Sequence, residues 1–443
     1  MKSTFHIITL GCQMNHSDSA RLSAFLKSNK YSEEKKAEIA DLVIINTCGI
    51  RQSAENRAYS YVNTLRKKNK NAKIVVTGCL SKRSDVKKRL VSKVDLFMPI
   101  SEMSDILLLL SGRKLKSELS LDEVRKMQGE KYLTILPDNS NSFSVYIPIG
   151  NGCNNFCSYC VVPYARGREV YRPAKDILRE IKEAINNGAK EVTLIAQNVN
   201  SYKNNSYDFP KLLEKVAKIK GDFWIRFSSS HPKDVSSELI KIMGVYDKVC
   251  PHLHLALQSG DDNILKAMNR KYSATKFLSL VTKARKVDSE MAITTDVIVG
   301  FPGETIKNFK NTVKVFKKAE FDLAYISRYS PRPQTVAYLL EDDVSMIEKK
   351  KREKILEEIM FKTSYKKNLK YKNKEMTVLI EGKNRKGKYY GKTKNSKMVQ
   401  IENNEKINTG IIGNFVLIKI KDAGIIGLSG DLVLCEKNRK YFI

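Results

Sequence analysis

The chain has 443 residues, of which 42% are hydrophobic and 29% are charged. This length exceeds that of one ordinary core and predicts two or three domains. No apolar run approaches the ~18 to 20 residues of a membrane span and residues 1–10 lack signal-peptide features, so we expect a soluble, cytoplasmic protein with no membrane contact. The net charge of +31 favours a nucleic-acid partner, although a lysine-rich proteome would give the same bias.

The amino-terminal part alternates short apolar runs with helical stretches. The apolar runs lie at 5–10, 42–46, 73–77 and 94–98. This alternation predicts a parallel α/β domain, which we place at residues 1–120. Between 101 and 140 a leucine-rich run gives way to charged, Asn and Ser residues, which indicates a domain boundary.

The same rhythm restarts at residue 143. Six candidate strands lie near 143–149, 191–196, 223–228, 252–257, 292–299 and 322–328, with helix-like stretches between them. One of these helices has Ile177, Ile181 and Ala184 at helical spacing, Pro173 before it and Gly188 after it. Six βα units predict an open, partial (βα)6 barrel, which we place at residues 139–372.

The carboxyl-terminal part begins with a lysine-rich helical stretch at 345–374, in which Ile347, Ile355, Ile359 and Met360 are expected to form an apolar stripe. Short β-like runs follow at 376–380, 398–401, 415–420 and 427–434. They predict a small antiparallel β-barrel at residues 373–437, similar to folds that bind single-stranded nucleic acid.

Eight cysteines in a chain without secretory features indicate metal or redox chemistry rather than a disulfide framework. Cys250 and Cys435 lie in apolar segments and are expected to be buried packing residues. The other six follow β-like runs and have Gly, Asn or Pro nearby.

Three of the six share one loop, with the spacing C-x3-C-x2-C at Cys153, Cys157 and Cys160. Soft thiolates select zinc or iron–sulfur clusters. A cubane cluster has four irons, so three ligands would leave one iron open to another molecule. A zinc site is the alternative, but it usually has four ligands and the downstream candidate, His231, is distant in the sequence.

The remaining three, Cys12, Cys48 and Cys79, are far apart but share a context of strand, glycine and helix start. The carboxyl ends of parallel strands meet at one edge of a sheet, so these thiols should converge there and hold a second cluster. The alternative is three unrelated buried cysteines.

Motifs along nearly the whole chain resemble those of the MiaB-type tRNA methylthiotransferases, a radical-SAM family. These motifs are Gly11-Cys-Gln-Met-Asn15, Asn46-Thr-Cys-Gly49, Gly152–Cys160 followed by Val161-Val-Pro-Tyr-Ala-Arg-Gly167, Arg172-Pro173, Gln197-Asn-Val-Asn200, His231-Pro-Lys-Asp234, Leu257-Gln-Ser-Gly260, Met268-Asn-Arg270, Gly300-Phe-Pro-Gly-Glu304 and Tyr329-Ser-Pro-Arg-Pro333. Two positions depart from the family pattern: Ala196 and Gln334 stand where glycine is frequent, which puts only local turn geometry in doubt.

The resemblance implies a methylthiotransferase domain with an auxiliary 4Fe-4S cluster, a radical-SAM domain with a second one, and a TRAM domain that holds RNA. It implies two molecules of S-adenosylmethionine (SAM) per event and methylthiolation of N6-isopentenyladenosine, also called N6-(dimethylallyl)adenosine, at position 37 of tRNA. A flavodoxin or ferredoxin would supply electrons and a separate sulfur source would rebuild the sacrificial cluster. We expect a monomer and no catalytic residue beyond the cluster ligands.

SAM contacts are expected where barrel strands end. The candidates are Gln197, Arg226, Ser229, Gln258, Ser259 and Asp296, together with Gly300 and Glu304 of the glycine motif. Each of these residue types also serves in turns and helix caps.

RNA contacts are expected at basic residues. The candidates are Arg166 and Arg168 beside the cluster loop, with Lys383, Arg385, Lys386, Lys388, Lys392 and Lys394 in the carboxyl-terminal barrel and Tyr389 and Tyr390 for base stacking. Arg166 and Arg168 are alternatively placed at the SAM carboxylate.

Two other functions remain open at this stage. A relative within the same enzyme class would modify threonylcarbamoyladenosine of tRNA or an aspartate of a ribosomal protein. A non-catalytic, zinc-containing RNA-binding protein would also explain the charge and the terminal barrel.

Overall fold

The structure is a computed structural model that describes residues 3–50, 52–110, 132–139, 142–402 and 407–433. Its amino-terminal part is a sheet of five parallel strands in the order β2-β1-β3-β4-β5. The strands are β1 (Thr4–Thr9), β2 (Ser32–Glu33), β3 (Leu42–Thr47), β4 (Lys73–Gly78) and β5 (Leu96–Phe97). The helices are α1 (Gln13–Ser28), α2 (Gln52–Lys68), α3 (Ser84–Leu90) and α4 (Asp105–Leu110).

The predicted parallel α/β domain is thereby confirmed. Every residue of the central strand β3 is buried, as expected when helices cover both faces of a parallel sheet. The two-residue strand β2 was not predicted, because it has no apolar run of its own. The predicted boundary at 101–140 lies largely outside the described residues.

The central part contains six main parallel strands. Two three-stranded sheets, β6-β9-β12 and β13-β14-β15, are linked by isolated bridges such as Ile225↔Val249 and Ser230↔Leu255. The strands of this part are β6 (Ser144–Pro148), β7 (Gly150–Asn151), β8 (Val170–Tyr171), β9 (Glu191–Ile195), β10 (Lys203–Asn204), β11 (Tyr207–Asp208), β12 (Trp224–Phe227), β13 (His252–His254), β14 (Ala292–Val299) and β15 (Leu323–Arg328). The partial barrel is confirmed.

The helices of this part are α5 (Val162–Arg166), α6 (Ala174–Asn186), α7 (Phe209–Ala217), α8 (Ser237–Val245), α9 (Asp262–Ala267), α10 (Ala274–Val287), α11 (Ile306–Ala319) and α12 (Met346–Leu369). All except the short α5 and α9 contribute to the core on the outside of the partial barrel. In α12, Met360 packs in the barrel core, with Ile355 and Ile359 against it. Ile347 is 82% exposed, so the predicted stripe is wrong at that residue. Among the described helices, none is long and apolar enough to cross a membrane.

The carboxyl-terminal part is a closed five-stranded barrel in the order β16-β17-β18-β20-β19. The strands are β16 (Glu375–Lys383), β17 (Tyr389–Thr393), β18 (Met398–Ile401), β19 (Phe415–Ala423) and β20 (Gly427–Leu432). A small barrel was predicted and is confirmed, but β17 was missed because its sequence contains glycine and lysine. The pairing of β18 with β20 is parallel, whereas the other pairs are antiparallel.

The carboxyl-terminal barrel packs against the amino-terminal ends of the central strands. Trp224, at the start of β12, packs against Phe415 with ring centroids 4.6 Å apart and ring planes tilted by 42°. Asp322, just before β15, accepts hydrogen bonds of 2.8 Å from both Lys397 and Lys367. Cys250 is buried in this contact, as its apolar neighbours predicted, and Cys435 lies outside the described residues. The opposite, carboxyl-terminal ends of the strands carry the loops described below.

Candidate cluster and cofactor site

The loop that carries Cys153, Cys157 and Cys160 follows β6 and β7. Gly152, just before Cys153, has a φ of +85°, and a Cβ there would lie 2.1 Å from the Arg168 carbonyl oxygen. Its amide donates to Gln197 Oε1 at 2.7 Å. The Cys153 amide donates to the Gly167 carbonyl at 3.1 Å. Close backbone packing therefore folds this loop.

The far side of the same loop rests on the motif Met268-Asn-Arg270. The Ser158 amide donates to the Met268 carbonyl at 3.1 Å, and Asn269 Nδ2 donates to the Phe156 carbonyl at 2.9 Å. Arg270 Nη1 donates to Cys157 Sγ at 3.5 Å. This supporting role of Met268-Asn-Arg270 is not predictable from the sequence motif alone.

The other three cysteines lie at the carboxyl ends of neighbouring strands β1, β3 and β4. Cys12 is the residue before α1, and Cys48 and Cys79 directly follow their strands. A Cβ on Gly11 would lie 2.7 Å from Cys48 Cβ, and a Cβ on Gly49 would lie 3.2 Å from Cys79 Cβ. The glycines thus allow the three cysteine segments to approach one another.

Two asparagines tie these segments together. Asn15 Nδ2 donates to Asn46 Oδ1 at 2.8 Å and to the Thr47 carbonyl at 2.9 Å. Asn46 Nδ2 donates back to the Asn15 carbonyl at 2.9 Å. Cys12 Sγ also lies 3.1 Å from Asn15 Oδ1. Asn15 lies three residues after Cys12, and Asn46 lies two residues before Cys48. This closeness in the sequence is the feature from which a role in holding the cysteine segments could have been predicted.

The two cysteine triads lie close to each other. Burial, together with the neighbouring Cys157, Cys153 and Cys79, raises the pKa of Cys160 to about 12. Burial also raises the pKa of Cys12, with Cys79 adding to the rise. Cys79 therefore lies near a member of its own triad and near a member of the other.

The donor set fits iron–sulfur clusters. The seven cysteines in the described ranges form no disulfide, and each triad supplies three soft sulfur donors on backbone held close by glycine. Within those same ranges, no group of three His, Cys, Asp or Glu side chains already has the arrangement of a metal site. The ligand assignments of the six cysteines stay a prediction.

Comparisons with known families cover all three parts. Residues 147–316 match the Radical SAM superfamily, residues 4–98 match "Uncharacterized protein family UPF0004" and residues 369–432 match the TRAM domain. A radical S-adenosylmethionine methyltransferase, TsrM from Kitasatospora setae, aligns with a TM-score of 0.56 over 76% of this chain and 75% of that one. At 12% identity this match shows the fold alone.

Curated relatives match along almost the whole length. A protein of Clostridium tetani is 40% identical over 98% of this chain and 97% of its own length. One of Clostridium botulinum is 39% identical over 96% of both chains, and one of Endomicrobium trichonymphae is 39% identical over 96% of this chain. Each is called tRNA-2-methylthio-N(6)-dimethylallyladenosine synthase. This chain belongs to that family.

Four of the predicted SAM residues lie at or near the carboxyl ends of the central strands. Gln197 holds Gly152, as described. Ser229 and Gln258 have positive φ angles of 68° and 64°, and Gln258 bonds to the β14 backbone through its own amide and carbonyl. Asp296 Oδ2 lies 3.0 Å from His254 Nε2, and the Asp296 side chain is 44% exposed. These four keep their assignment as a prediction.

Arg226 does not point to this site, which corrects the expectation. Its Nη1 donates to the Lys394 carbonyl at 2.9 Å and its Nη2 to the Thr393 carbonyl at 2.9 Å. Its Nε pairs with Glu191 at 2.5 Å. The guanidinium joins the central part to the carboxyl-terminal barrel, because it is directed toward the amino-terminal ends of the central strands, where that barrel packs.

Three further candidates have structural partners instead. The fully buried Ser259 accepts the Asp261 amide at 3.2 Å. Glu304 Oε2 accepts the Gly300 amide at 2.6 Å and Arg352 Nη1 at 2.7 Å. A Cβ on Gly300 would lie 2.3 Å from Lys349 Cγ, so the absence of a side chain here allows α12 to pack closely.

The expectation that Arg166 contacts RNA is also wrong, because its side chain does not face solvent. Its side chain is 5% exposed and its Nη2 contacts Asp18 Oδ2 at 2.8 Å, where the Asp18 side chain is 1% exposed. Its Nη1 donates to Asn151 Oδ1 at 3.0 Å. Burial raises the pKa of Asp18, and Arg166 opposes that rise. This pair joins α1 to the segment that follows the cluster loop.

The remaining RNA candidates divide by exposure. Arg168, Lys383, Arg385 and Lys386 are exposed, with Arg168 over the Phe156 ring at 4.4 Å. Lys392 and Lys394 pair with Glu381 at 2.9 Å and Asp247 at 2.5 Å, and Lys388 pairs with Glu402. Tyr390 is half-buried, but Tyr389 is 1% exposed in the barrel core and is not available for stacking.

Proposed function

We propose that this chain methylthiolates C2 of N6-(dimethylallyl)adenosine at position 37 of tRNA by radical-SAM chemistry. The observation that carries the proposal is the 39–40% identity, over 96–98% of the chain, to relatives that bear the name of this synthase. The two neighbouring cysteine triads support it, because sulfur insertion into a C–H bond needs both a cleaved SAM and a sulfur source.

The residues divide into two ligand sets. Cys153, Cys157 and Cys160 hold the 4Fe-4S cluster that binds SAM, and Cys12, Cys48 and Cys79 hold the auxiliary one. When bound, these groups supply the reductive cleavage of SAM and the sulfur that is transferred.

The protein's own groups orient this site and bury four of its six cysteines, whereas Cys12 is exposed and Cys160 is half-buried. Gln197 accepts the Gly152 amide and so fixes the start of the loop that carries Cys153, Cys157 and Cys160, which we call the SAM-side loop. Arg270 donates a hydrogen bond to Cys157 Sγ. Both Cys153 and Cys157 are buried, as are Cys48 and Cys79. A buried environment strengthens electrostatic interactions and excludes side reactions of reactive intermediates.

The carboxyl-terminal barrel is the proposed RNA contact. Lys383, Arg385 and Lys386 lie exposed at the end of β16 and in the turn before β17. Cations at such a position neutralise phosphates and set the orientation of the RNA without reading its sequence.

The other partners follow from the chemistry. A small reductant such as flavodoxin or ferredoxin delivers electrons to the SAM-side cluster, and a separate sulfur source rebuilds the auxiliary one. We place the reaction in the cytoplasm and expect the enzyme to act as a monomer.

A nucleoside mass spectrum of tRNA tests the substrate. The gene is expressed in a bacterial strain that makes N6-(dimethylallyl)adenosine but has lost its own methylthiotransferases. We expect the 2-methylthio form of that nucleoside to appear. Appearance of methylthiolated threonylcarbamoyladenosine, or of a modified ribosomal aspartate instead, would assign the chain to a sister activity.

Metal analysis tests the inorganic part separately. Anaerobically reconstituted protein should hold about eight irons and about eight sulfides per chain, as two cubanes require. Stoichiometric zinc without iron would support the non-catalytic RNA-binding alternative.

A further inference from the structure

One short segment, Arg332–Ala337, contacts both cysteine-bearing regions. At one end Arg332 Nη2 donates to the Ile50 carbonyl at 3.0 Å, and Ile50 lies two residues after Cys48. At the other end the Ala337 amide donates to the Ser158 carbonyl at 2.7 Å, and Ser158 lies between Cys157 and Cys160. We call this segment the strap.

The Arg332 end of the strap is buried and has several partners. Arg332 is 8% exposed, and its Nη1 donates to Gln52 Oε1 at 2.6 Å and lies 3.7 Å from Glu55 Oε2. Glu55 in turn accepts Arg83 Nη1 at 2.7 Å, and Arg83 lies four residues after Cys79. Arg332 thus joins a network that already connects the segments after Cys48 and Cys79.

The strap itself is held in one conformation. Thr335 Oγ1 donates to the Arg332 carbonyl at 2.7 Å, which closes a turn around Gln334. Gln334 has a φ of +74°, a value that non-glycine residues adopt only where the surroundings enforce it. Tyr329 Oη donates to the carbonyl of the fully buried Ala337 at 2.8 Å. A fixed conformation gives the strap a fixed length.

We propose that Arg332 is a positioning residue: through the strap it sets the distance between the two cysteine loops and so couples SAM cleavage to sulfur transfer. This inference rests on the proposed function, because it concerns the passage from one half of that reaction to the other. The physical reason is that reacting atoms must approach within about 3 to 3.5 Å, and a displacement of about 1 Å can cost about 100-fold in rate.

The test compares Arg332→Ala with Arg328→Ala in reconstituted holoenzyme with tRNA. Arg328 carries the same charge four residues earlier but pairs with Glu353 of α12 at 3.2 Å. For Arg332→Ala we expect 5′-deoxyadenosine formation to stay within about twofold while the methylthio nucleoside falls by about 100-fold. Arg328→Ala should leave both unchanged. Arg332→Lys should restore part of the product, because an ammonium cannot match the fork of donors.

A second variant lengthens the strap without touching Arg332. One glycine inserted between Gln334 and Thr335 adds up to about 3.3 to 3.6 Å of chain. We expect the same excess of 5′-deoxyadenosine over product, and a longer or broader separation of the two reduced clusters in pulsed electron paramagnetic resonance.

The outcomes separate the two proposals. If wild-type enzyme makes no methylthio nucleoside, the proposed function fails. If wild-type enzyme makes it and Arg332→Ala keeps the wild-type ratio of product to 5′-deoxyadenosine, the positioning role is wrong. Loss of iron from Arg332→Ala would also overturn the inference, because it would assign Arg332 to cluster retention.

Discussion

The two cysteine triads are built in different ways. Cys153, Cys157 and Cys160 lie within eight residues of one loop, which Gly152 and the neighbouring Met268-Asn-Arg270 motif fold. Cys12, Cys48 and Cys79 come from three strands and meet only because those strands are neighbours in one sheet. The first triad depends on local backbone geometry, whereas the second depends on the fold of a whole domain.

This difference bears on how each triad tolerates change. Damage to the SAM-side loop should act first on the loop's own backbone, because its three cysteines lie within eight residues of one another. Cys12, Cys48 and Cys79, which we call the sheet-built triad, belong to a domain that contacts the central part through Asp18–Arg166 and Arg332. Substitutions at that interface should therefore also affect this triad. The following predictions probe the contrast, beginning with the largest expected effect.

Loss of one ligand from each triad should give two different defects. We expect Cys157→Ala to abolish SAM cleavage and therefore all product, because the proposed SAM-binding cluster would lose a ligand. Cys48→Ala should retain SAM cleavage but make no methylthio nucleoside. The measurement is 5′-deoxyadenosine and modified tRNA from anaerobic assays of each variant. Identical defects in the two variants would show that the triads do not have separate tasks.

The buried pair between Asp18 and Arg166 should be essential for the interface. Asp18→Asn leaves the Arg166 charge buried without its counter-charge, and breaking such a pair typically costs about 3 to 5 kcal/mol. We expect a lower unfolding midpoint in urea and weaker retention of iron by the sheet-built triad. Glu33→Gln is the matched control, since Glu33 pairs with Lys27 at the surface with both side chains 46% exposed. Equal midpoints for the two variants would contradict a structural role for the buried pair.

Two glycines of the SAM-side loop provide the finest test of local geometry. Gly152 and Gly167 have φ angles of +85° and +81°, but only at Gly152 would a Cβ meet backbone, 2.1 Å from the Arg168 carbonyl. Gly167, with a ψ of −167°, lies in a backbone region that is essentially confined to glycine, so Gly167→Ala should cost about 1 to 3 kcal/mol without any steric clash. Gly152→Ala should in addition displace the loop and lower SAM cleavage, while iron in the other triad stays unchanged. Similar SAM cleavage by both variants would show that the close packing at Gly152 is dispensable.

Much of this architecture is readable from the sequence. The six central strands lie within a few residues of their predicted positions, because buried parallel strands leave uninterrupted apolar runs. The convergence of Cys12, Cys48 and Cys79 follows from one rule, that parallel strands end at a common edge, whereas their role as cluster ligands stays a prediction.

The errors share a physical cause. Arg226 is predicted as a SAM contact because it lies near a strand end, and Arg166 as an RNA or SAM contact because it follows the cluster loop, yet both are buried at contacts between domains. A sequence gives the position of a strand end but not which domain packs against it. The prediction that Tyr389 stacks on a base is wrong for a related reason. Because the sequence pattern does not predict β17, it does not show which side chains of that strand face the barrel core.

The contacts of the carboxyl-terminal barrel with Trp224 and Arg226 bear on how SAM and RNA reach the central part. The barrel contacts the amino-terminal ends of the central strands, so we expect SAM and the adenine base to enter from the opposite, carboxyl-terminal ends. A tRNA seated there would obstruct the exit of spent SAM.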